Sequence, residues 1–533
     1  MTYSVLFLAF MAFAPLVFST IKSASREKLR DCVFLKTVAK DYLRTLPTIA
    51  LVSLPMVAMP SWTRAYVIAM HLLFMPLVIL ELGHVYLFGA RMGLNTFYSL
   101  FVTNIKETVE YIQCNHTKAQ LALIAVLYIA PLAALWHLPA AGFDSGVSRS
   151  FLAGGLAIVA FPLIRNFFQR GARHKLSYVL NPFVSAFYHY ALYRRQYGAL
   201  KLQIAAHAAP KFADIVSEIP ADIPETYVVC IGESANSQHH SYAGYCRDTN
   251  EFTRAAGDIL SFTGCRSQYA QTLPSLEKTI TFATDQDPEL LFKKGSIVDY
   301  FKDAGFKTFW LSNQYALEDT AITAMAGHAD VRKCFNFSSM KGFETAGYDG
   351  TLLPEFVKTL EDPAPKKVIF LHMIGSHSAD VNRYPAEFKH FTGDVPGKEE
   401  LPPAGKELLN TYDDSIRYTD YVISEFVKAL RMKGETTAAS LLYFADHGED
   451  CYDSRLTKLL GHGQIANVPM TSVPLQVWLS PKLKALRPEL VARASKPKAS
   501  YRLEQIIHLM IDLASLSNPD FSPADSLFPE VVQ

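Results

Sequence analysis

Two short polar runs follow directly on strand-like apolar runs, and their residue types suit a metal ion. Glu233 comes after TYVVCIG (226–232), and Asp446-His447-Gly448-Glu449 comes after SLLYFA (440–445). Zinc accepts carboxylate oxygen and imidazole nitrogen, and a catalytic zinc keeps one position open beside three protein ligands. Glu233, Asp446 and His447 supply such a set. Alone, Asp446-His447-Gly448 reads equally well as a polar turn that ends a strand; a carboxylate at the end of a second strand favours the metal reading. His377 in Gly-Ser-His and His462 in Gly-His-Gly are further candidates, each by itself more often a loop residue than a ligand. Thr272 precedes Leu273-Pro274-Ser275-Leu276-Glu277, which reads as a first helical turn with proline inside it. On pattern alone Thr272 is a helix N-cap, worth about 1 kcal/mol.

The elements that carry these residues alternate in type. Strand-like runs at 226–232, 307–311, 367–373 and 440–445 are separated by helical segments, which predicts an α/β domain with a mostly parallel sheet. In such sheets the chemistry sits beyond the carboxyl ends of the strands. The 533 residues are 50% hydrophobic yet 19% charged, the average of an apolar half and an ordinary globular half. About 20 apolar residues cross a bilayer as a helix. Five apolar stretches precede the α/β region, at about 3–21, 46–60, 65–88, 119–138 and 150–168; the second carries Pro55 and Pro60 and suits a kinked or tilted span. No Lys or Arg precedes the first stretch, so it reads as an uncleaved anchor and not a signal peptide. Residues 171–225, with Tyr188, Tyr190, Tyr193, Arg194 and Arg195, suit an amphipathic helix at headgroup depth or a solvated helical linker. The expected organisation is a membrane domain over 1–170, a bridging segment over 171–225 and a catalytic domain over 226–533.

The net charge of +1 leaves no basic field to neutralise phosphates, which excludes nucleic acid as a partner. The segment with Lys22, Arg26, Lys28, Arg30, Lys36, Lys40 and Arg44 reads as cytoplasmic by the positive-inside rule. With five spans, that places the C-terminal domain in the cytoplasm too. Seven cysteines are present, five of them beyond residue 225; Cys230 reads as a buried core residue, leaving Cys246, Cys265, Cys334 and Cys451 able to form two disulfides. His239 and His240 read as surface polar residues.

The ordered set IGESANSQHHSYAGYCRDTN (231–250), QTLPSLEKTITFAT (271–284), KTFWLSNQ (307–314), LHMIGSH with NRYP, TYDDSIRYTDY (411–421), FADHGED (444–450) and GHG (461–463) resembles the phosphoethanolamine transferases of Gram-negative envelopes. These belong to the alkaline phosphatase and sulfatase superfold. The resemblance reaches into the membrane half, where FVTNIKETVEYI (101–112) looks like the family's donor-lipid loop. TITFAT, KTFWLSNQ and DPAPKK look most like the branch that acts on the lipopolysaccharide core.

The resemblance implies an inner-membrane, multi-pass protein with its catalytic domain in the periplasm, against the charge pattern of residues 22–44. It implies that Glu233, Thr272, Asp446 and His447 surround a zinc ion, and that Thr272 receives phosphoethanolamine from phosphatidylethanolamine before passing it to lipopolysaccharide, on a core sugar or lipid A. His377 and His462 match histidines used for substrate phosphate or a second zinc; Asn313 matches a polar residue near the phosphate; Asn104, Glu107 and Glu110 match the donor-lipid loop. Other branches place a lysine shortly after the position of Asn313, where this chain reads Gln314-Tyr315-Ala316-Leu317. The expected oligomeric state is a monomer. The competing readings are a phosphoglycerol transferase or sulfatase-like hydrolase on the same superfold, and a non-catalytic envelope protein.

Overall fold

The computed structural model describes residues 212–287, 290–315, 321–336, 347–377, 380–454 and 466–529 of the C-terminal half. In the N-terminal half it describes chiefly 49–57, 60–88 and 118–137. The chain divides into two compact units, Met1–Phe101 with His116–Gln196, and Val102–Asn115 with Tyr197–Gln533.

In the first unit, α1 (Thr63–Phe88) and α2 (Lys118–His137) are the long helices among the described residues. Val67, Phe74, Met75 and Val78 recur at helical spacing along α1 and pack with Met56 and Tyr128. His71 on the same helix places Nε2 2.8 Å from the Tyr128 carbonyl, a polar contact among the apolar ones. Among the described residues one helix, Thr63–Val85, is long and apolar enough to cross a membrane; Leu121–Ala133 is a shorter apolar stretch. Most of the first and last of the five stretches, and nearly all of 171–211, lie outside the described residues.

The second unit is built on a seven-stranded sheet. Its strands are β1 (Glu225–Gly232), β2 (Ile259–Phe262), β3 (Lys307–Tyr315), β4 (Val331–Asn336), β5 (Lys366–His372), β6 (Ala438–Ala445) and β7 (Leu475–Leu479). They lie in the order β2-β7-β6-β1-β5-β3-β4, parallel from β6 to β4, with β7 and β2 antiparallel at one edge. All four strands read from the sequence are present. Every residue of β1 and β6 is buried, as expected for central strands covered on both faces. On one face Val228, Cys230, Phe309, Leu311, Ile369 and Leu371 pack against Phe356 of α5 (Leu352–Leu360) and Val422 and Phe426 of α6 (Pro403–Arg431). On the other, Trp310 stacks on Phe370 at 5.2 Å, and Phe370 meets Phe301 of α4 (Ile297–Asp303).

Helix α6 also organises the loops at the carboxyl end of the sheet. Tyr412 donates its hydroxyl to the Ser234 carbonyl (2.8 Å) and accepts from the Asn236 amide. Asp413 binds His239 Nδ1 (2.7 Å) and Arg247 Nη1 (2.7 Å); Asp414 accepts the amides of His390 and Phe391; Ser415 donates to Ser376 Oγ. Asp420 accepts the amides of Phe252 and Thr253 in the first turn of the short helix Glu251–Ala256. The DDS run is thus a row of loop anchors. His239 and His240 are buried, not on the surface as their sequence context suggested. Cys246 and Cys265 are free thiols, so the two-disulfide arrangement does not form.

Burial by itself would lower the pKa of His239, but the facing Asp453 and Asp413 carboxylates overcome it and raise the imidazole to about 9. Burial works against the Asp453 carboxylate, and His239 and Lys398 nevertheless hold it down at about 2. The His239 contribution to stability is therefore complete below its ordinary value of 6.5 and is lost as pH rises through about 9. The Asp453 contribution is complete above 3.8 and is lost as pH falls through about 2. His239→Gln is expected to lower the melting midpoint of the full chain most between 3.8 and 6.5, with the gap shrinking from 6.5 upward to its minimum by about 9. A gap independent of pH would show that the imidazolium is not what holds this loop.

Candidate active site

The parallel pairing of β1 with β6 aligns Gly232 with Ala445, so the next residue of each strand, Glu233 and Asp446, leaves the sheet side by side. The Asp446 amide still donates to the Gly232 carbonyl at 3.2 Å, one step past the ladder. Ser234 turns the chain sharply with a φ of +54°, an uncommon conformation for a residue with a side chain. The turn aims the Ser234 amide at Asp446 Oδ1 (3.2 Å) and its hydroxyl at Glu233 Oε1 (2.9 Å). Glu233, Asp446 and His447 are all buried, with ligand atoms within 4.8 Å of one another.

Thr272 opens α3 (Thr272–Thr279). The N-cap position belongs to Gln271, so Thr272 is the first helical residue and its hydroxyl does not cap the helix. Its Oγ1 lies 3.1 Å from each Glu233 oxygen and 3.4 Å from His447 Nε2. Three residues on, on the same helix face, Ser275 donates to the Asp446 carbonyl at 2.6 Å and locks α3 to the ligand loop. Pro274 costs nothing in the first turn, where its missing amide has no helical partner.

These residues fit a divalent cation. His447 Nδ1 donates to the Gly448 carbonyl at 2.9 Å, which leaves Nε2 with its lone pair toward Glu233 Oε1 (3.2 Å) and Asp446 Oδ2 (3.6 Å). Asp446 Oδ2 is buried and has no hydrogen-bond donor. Burial and the Glu233 charge push the Asp446 carboxyl well up from its ordinary range. Burial would lower His447, yet the Asp446 and Glu233 carboxylates raise it by holding a second proton there. The electrostatics thus call for positive charge at the point where these side chains converge. A second cluster, His239, Cys451 and Asp453, also falls within 4.8 Å, but there Lys398 and Arg247 supply the positive charge.

His377 follows the turn after β5, where the Ser376 amide donates to the Glu233 carbonyl at 3.0 Å, so it stands at the same end of the sheet. Asn313 is fully buried; its Nδ2 donates to the Gly347 carbonyl (2.7 Å) and Asp349 Oδ1 (2.9 Å), and Asp349 in turn accepts the amides of Ile374 and Gly375. Asn313 thereby braces the turn behind Glu233. His462, Asn104, Glu107 and Glu110 lie outside the described residues. Sequence reading missed Ser234, Ser275, Tyr412 and Asp349 as supports of the site. Only Ser275 carried a signal, its i+3 spacing from Thr272.

Residues 225–516 match the sulfatase family model. The chain belongs to the sulfatase family. This sulfatase-family chain is 28% identical over 469 residues to phosphoethanolamine transferase EptC of Escherichia coli O18:K1:H7, covering 83% of this chain and 78% of that one. It is 27% identical to phosphoethanolamine transferase CptA of Salmonella typhimurium, over 84% of this chain and 79% of that one. Among solved structures, the C-terminal periplasmic domain of EptC from Escherichia coli in complex with Zn aligns with 61% of this chain and 92% of that one, at 29% identity and a TM-score of 0.56. The integral membrane lipooligosaccharide phosphoethanolamine transferase A of Neisseria meningitidis aligns over 99% of this chain and 98% of that one, at 18% identity and a TM-score of 0.71, a likeness of fold.

Gly375 has a φ of +52°, and a Cβ there would lie 2.7 Å from the Glu233 carbonyl oxygen and 2.8 Å from its nitrogen. Gly375→Ala therefore has to displace the Glu233 backbone, at a cost of about 1–3 kcal/mol for the overpacking. It is expected to lower both the melting midpoint and divalent-metal affinity, measured by chelator competition; unchanged metal affinity would show that this turn does not set Glu233.

Proposed function

We propose that this chain is a zinc-dependent transferase that moves phosphoethanolamine from phosphatidylethanolamine to lipopolysaccharide, on a core sugar or lipid A, by way of a phosphoethanolamine-Thr272 intermediate. The observation that carries the reading is the Thr272 hydroxyl, 3.1 Å from both oxygens of Glu233 and 3.4 Å from His447 Nε2. The named activity of the EptC and CptA relatives supports it. So does the Zn complex of the EptC domain.

Glu233, Asp446 and His447 would hold the zinc with Thr272. When bound, zinc favours the threonine alkoxide, much as it lowers the pKa of coordinated water to about 7. In the first half-reaction Thr272 gives up its hydroxyl proton to a base as its Oγ1 attacks the phosphorus of the donor lipid. The bond to the diacylglycerol oxygen breaks, and that oxygen takes up a proton. In the second, an acceptor oxygen attacks the same phosphorus, its proton passes to a base, and Thr272 leaves and is reprotonated. The start of α3, where the first amides of a helix lack helical partners, suits the phosphate anion in this scheme. In this scheme His377 and His462 carry protons to and from leaving group and acceptor.

The organisation that goes with this chemistry is a multi-span membrane domain over about 1–170, with five spans, a bridging segment over 171–225 and a periplasmic catalytic domain over 226–533. In this scheme Asn104, Glu107 and Glu110 belong to the loop that recognises the donor lipid. Donor and acceptor both reside in lipid, so an anchored monomer reaches them without extracting either.

The test supplies the full chain in detergent with lipopolysaccharide and with phosphatidylethanolamine or phosphatidylglycerol labelled in the glycerol backbone. Release of labelled diacylglycerol only from phosphatidylethanolamine, lost in Thr272→Ala, is expected. Release only from phosphatidylglycerol would make the chain a phosphoglycerol transferase, release without transfer a hydrolase, and no release from either a non-catalytic protein.

A further inference from the structure

Strand β3 is irregular where it reaches the active-site end. Its register against β4 runs evenly from Phe309 to Ser312, then shifts between Ser312 and Tyr315. Such bulges change the direction in which a strand presents its side chains, and they recur beside active sites. The residues inside the shift are Asn313, turned to Asp349, and Gln314. The Gln314 carboxamide nitrogen donates to Glu233 Oε2 at 3.0 Å and to the Met373 carbonyl, just past the end of β5, at 2.9 Å. Both protons of the amide are thereby used, and its orientation is fixed by the strand next to β3. Glu233 Oε1 meanwhile accepts from Ser234 Oγ at 2.9 Å. Each oxygen of the carboxylate has its own donor outside the group of converging ligands.

We infer that Gln314 is a positioning residue for the metal centre: the bulge in β3 aims its carboxamide at Glu233 so that this carboxylate is held in the orientation that binds the cation. The inference rests on the zinc reading above. A ligating carboxylate needs its remaining lone pairs engaged, and loss of such an outer partner typically costs 10- to 100-fold in metal affinity or activity. The choice of a neutral donor has a physical reason. A Lys or Arg paired with Glu233 would neutralise one of the two buried carboxylates that draw the cation, whereas an amide orients the carboxylate and leaves its charge for the metal.

The experiment uses the full chain in detergent, as wild type, Gln314→Met, which keeps an unbranched side chain of similar size, and Gln314→Ala. Zinc affinity is measured by chelator competition, the melting midpoint on the metal-free forms, and the KM for phosphatidylethanolamine with zinc in excess. The expected result is zinc binding weakened about 10- to 100-fold in both variants, an unchanged metal-free midpoint, an unchanged KM and activity recovered by excess zinc. Unchanged zinc affinity with a raised KM would make Gln314 a substrate contact and overturn the inference. A metal-free midpoint that falls along with zinc affinity would make it a structural residue and overturn it equally. A wild type that binds no zinc would overturn the metal reading itself, a separate failure visible before any variant is compared.

Discussion

The rest of the site depends on one constraint, the parallel register of β1 and β6. Because Gly232 pairs with Ala445, two carboxylates emerge together from the centre of a sheet covered on both faces, into a place that water does not reach. Two buried anions so close are unfavourable unless something positive lies between them. The third member, His447, has its outer nitrogen committed to the Gly448 carbonyl, so its inner nitrogen faces the same point. The arrangement is one in which a divalent cation relieves the strain that the fold creates. The hydroxyl of Thr272 is the nucleophile that such a cation would activate.

Around this centre the protein spends much of its polar chemistry on holding loops. Tyr412, Asp413, Asp414 and Ser415 are consecutive in α6, yet each binds a different segment, because successive residues of a helix point about 100° apart. The turn at Ile374 and Gly375 is fixed from behind by Asp349, itself held by Asn313. Gly448 is held as tightly, since a Cβ there would lie 2.2 Å from the Pro469 carbonyl oxygen. Rigid supports of this kind keep reacting groups within reach of one another without any cost of reorganisation at the moment of reaction.

Much of this was legible in the sequence. The four apolar runs are strands of a mostly parallel sheet, though nothing local encodes their order β6-β1-β5-β3, and Glu233, Asp446 and His447 do converge at strand ends. The residues that escaped are those whose role depends on contacts distant in the chain. Nothing near His239 announces Asp413, 174 residues away, so a buried ion pair looked like a surface histidine. Asn313 and Gln314 are adjacent, but a register shift that no local pattern encodes sends one into a backbone brace and the other to Glu233. The reading of Thr272 as an N-cap failed by a single residue. Helix ends are poorly fixed by propensity, and the displaced hydroxyl is what became available for chemistry.

The most direct test of the account is the intact mass of the full chain after exposure to phosphatidylethanolamine without acceptor, with zinc measured on the same sample. The account predicts an added mass of about 123 Da, that of one phosphoethanolamine group on a nucleophile, mapped by peptide sequencing to Thr272 and absent from Thr272→Ala. A zinc-loaded protein that releases diacylglycerol yet never carries the adduct, or carries it on another residue, would contradict it.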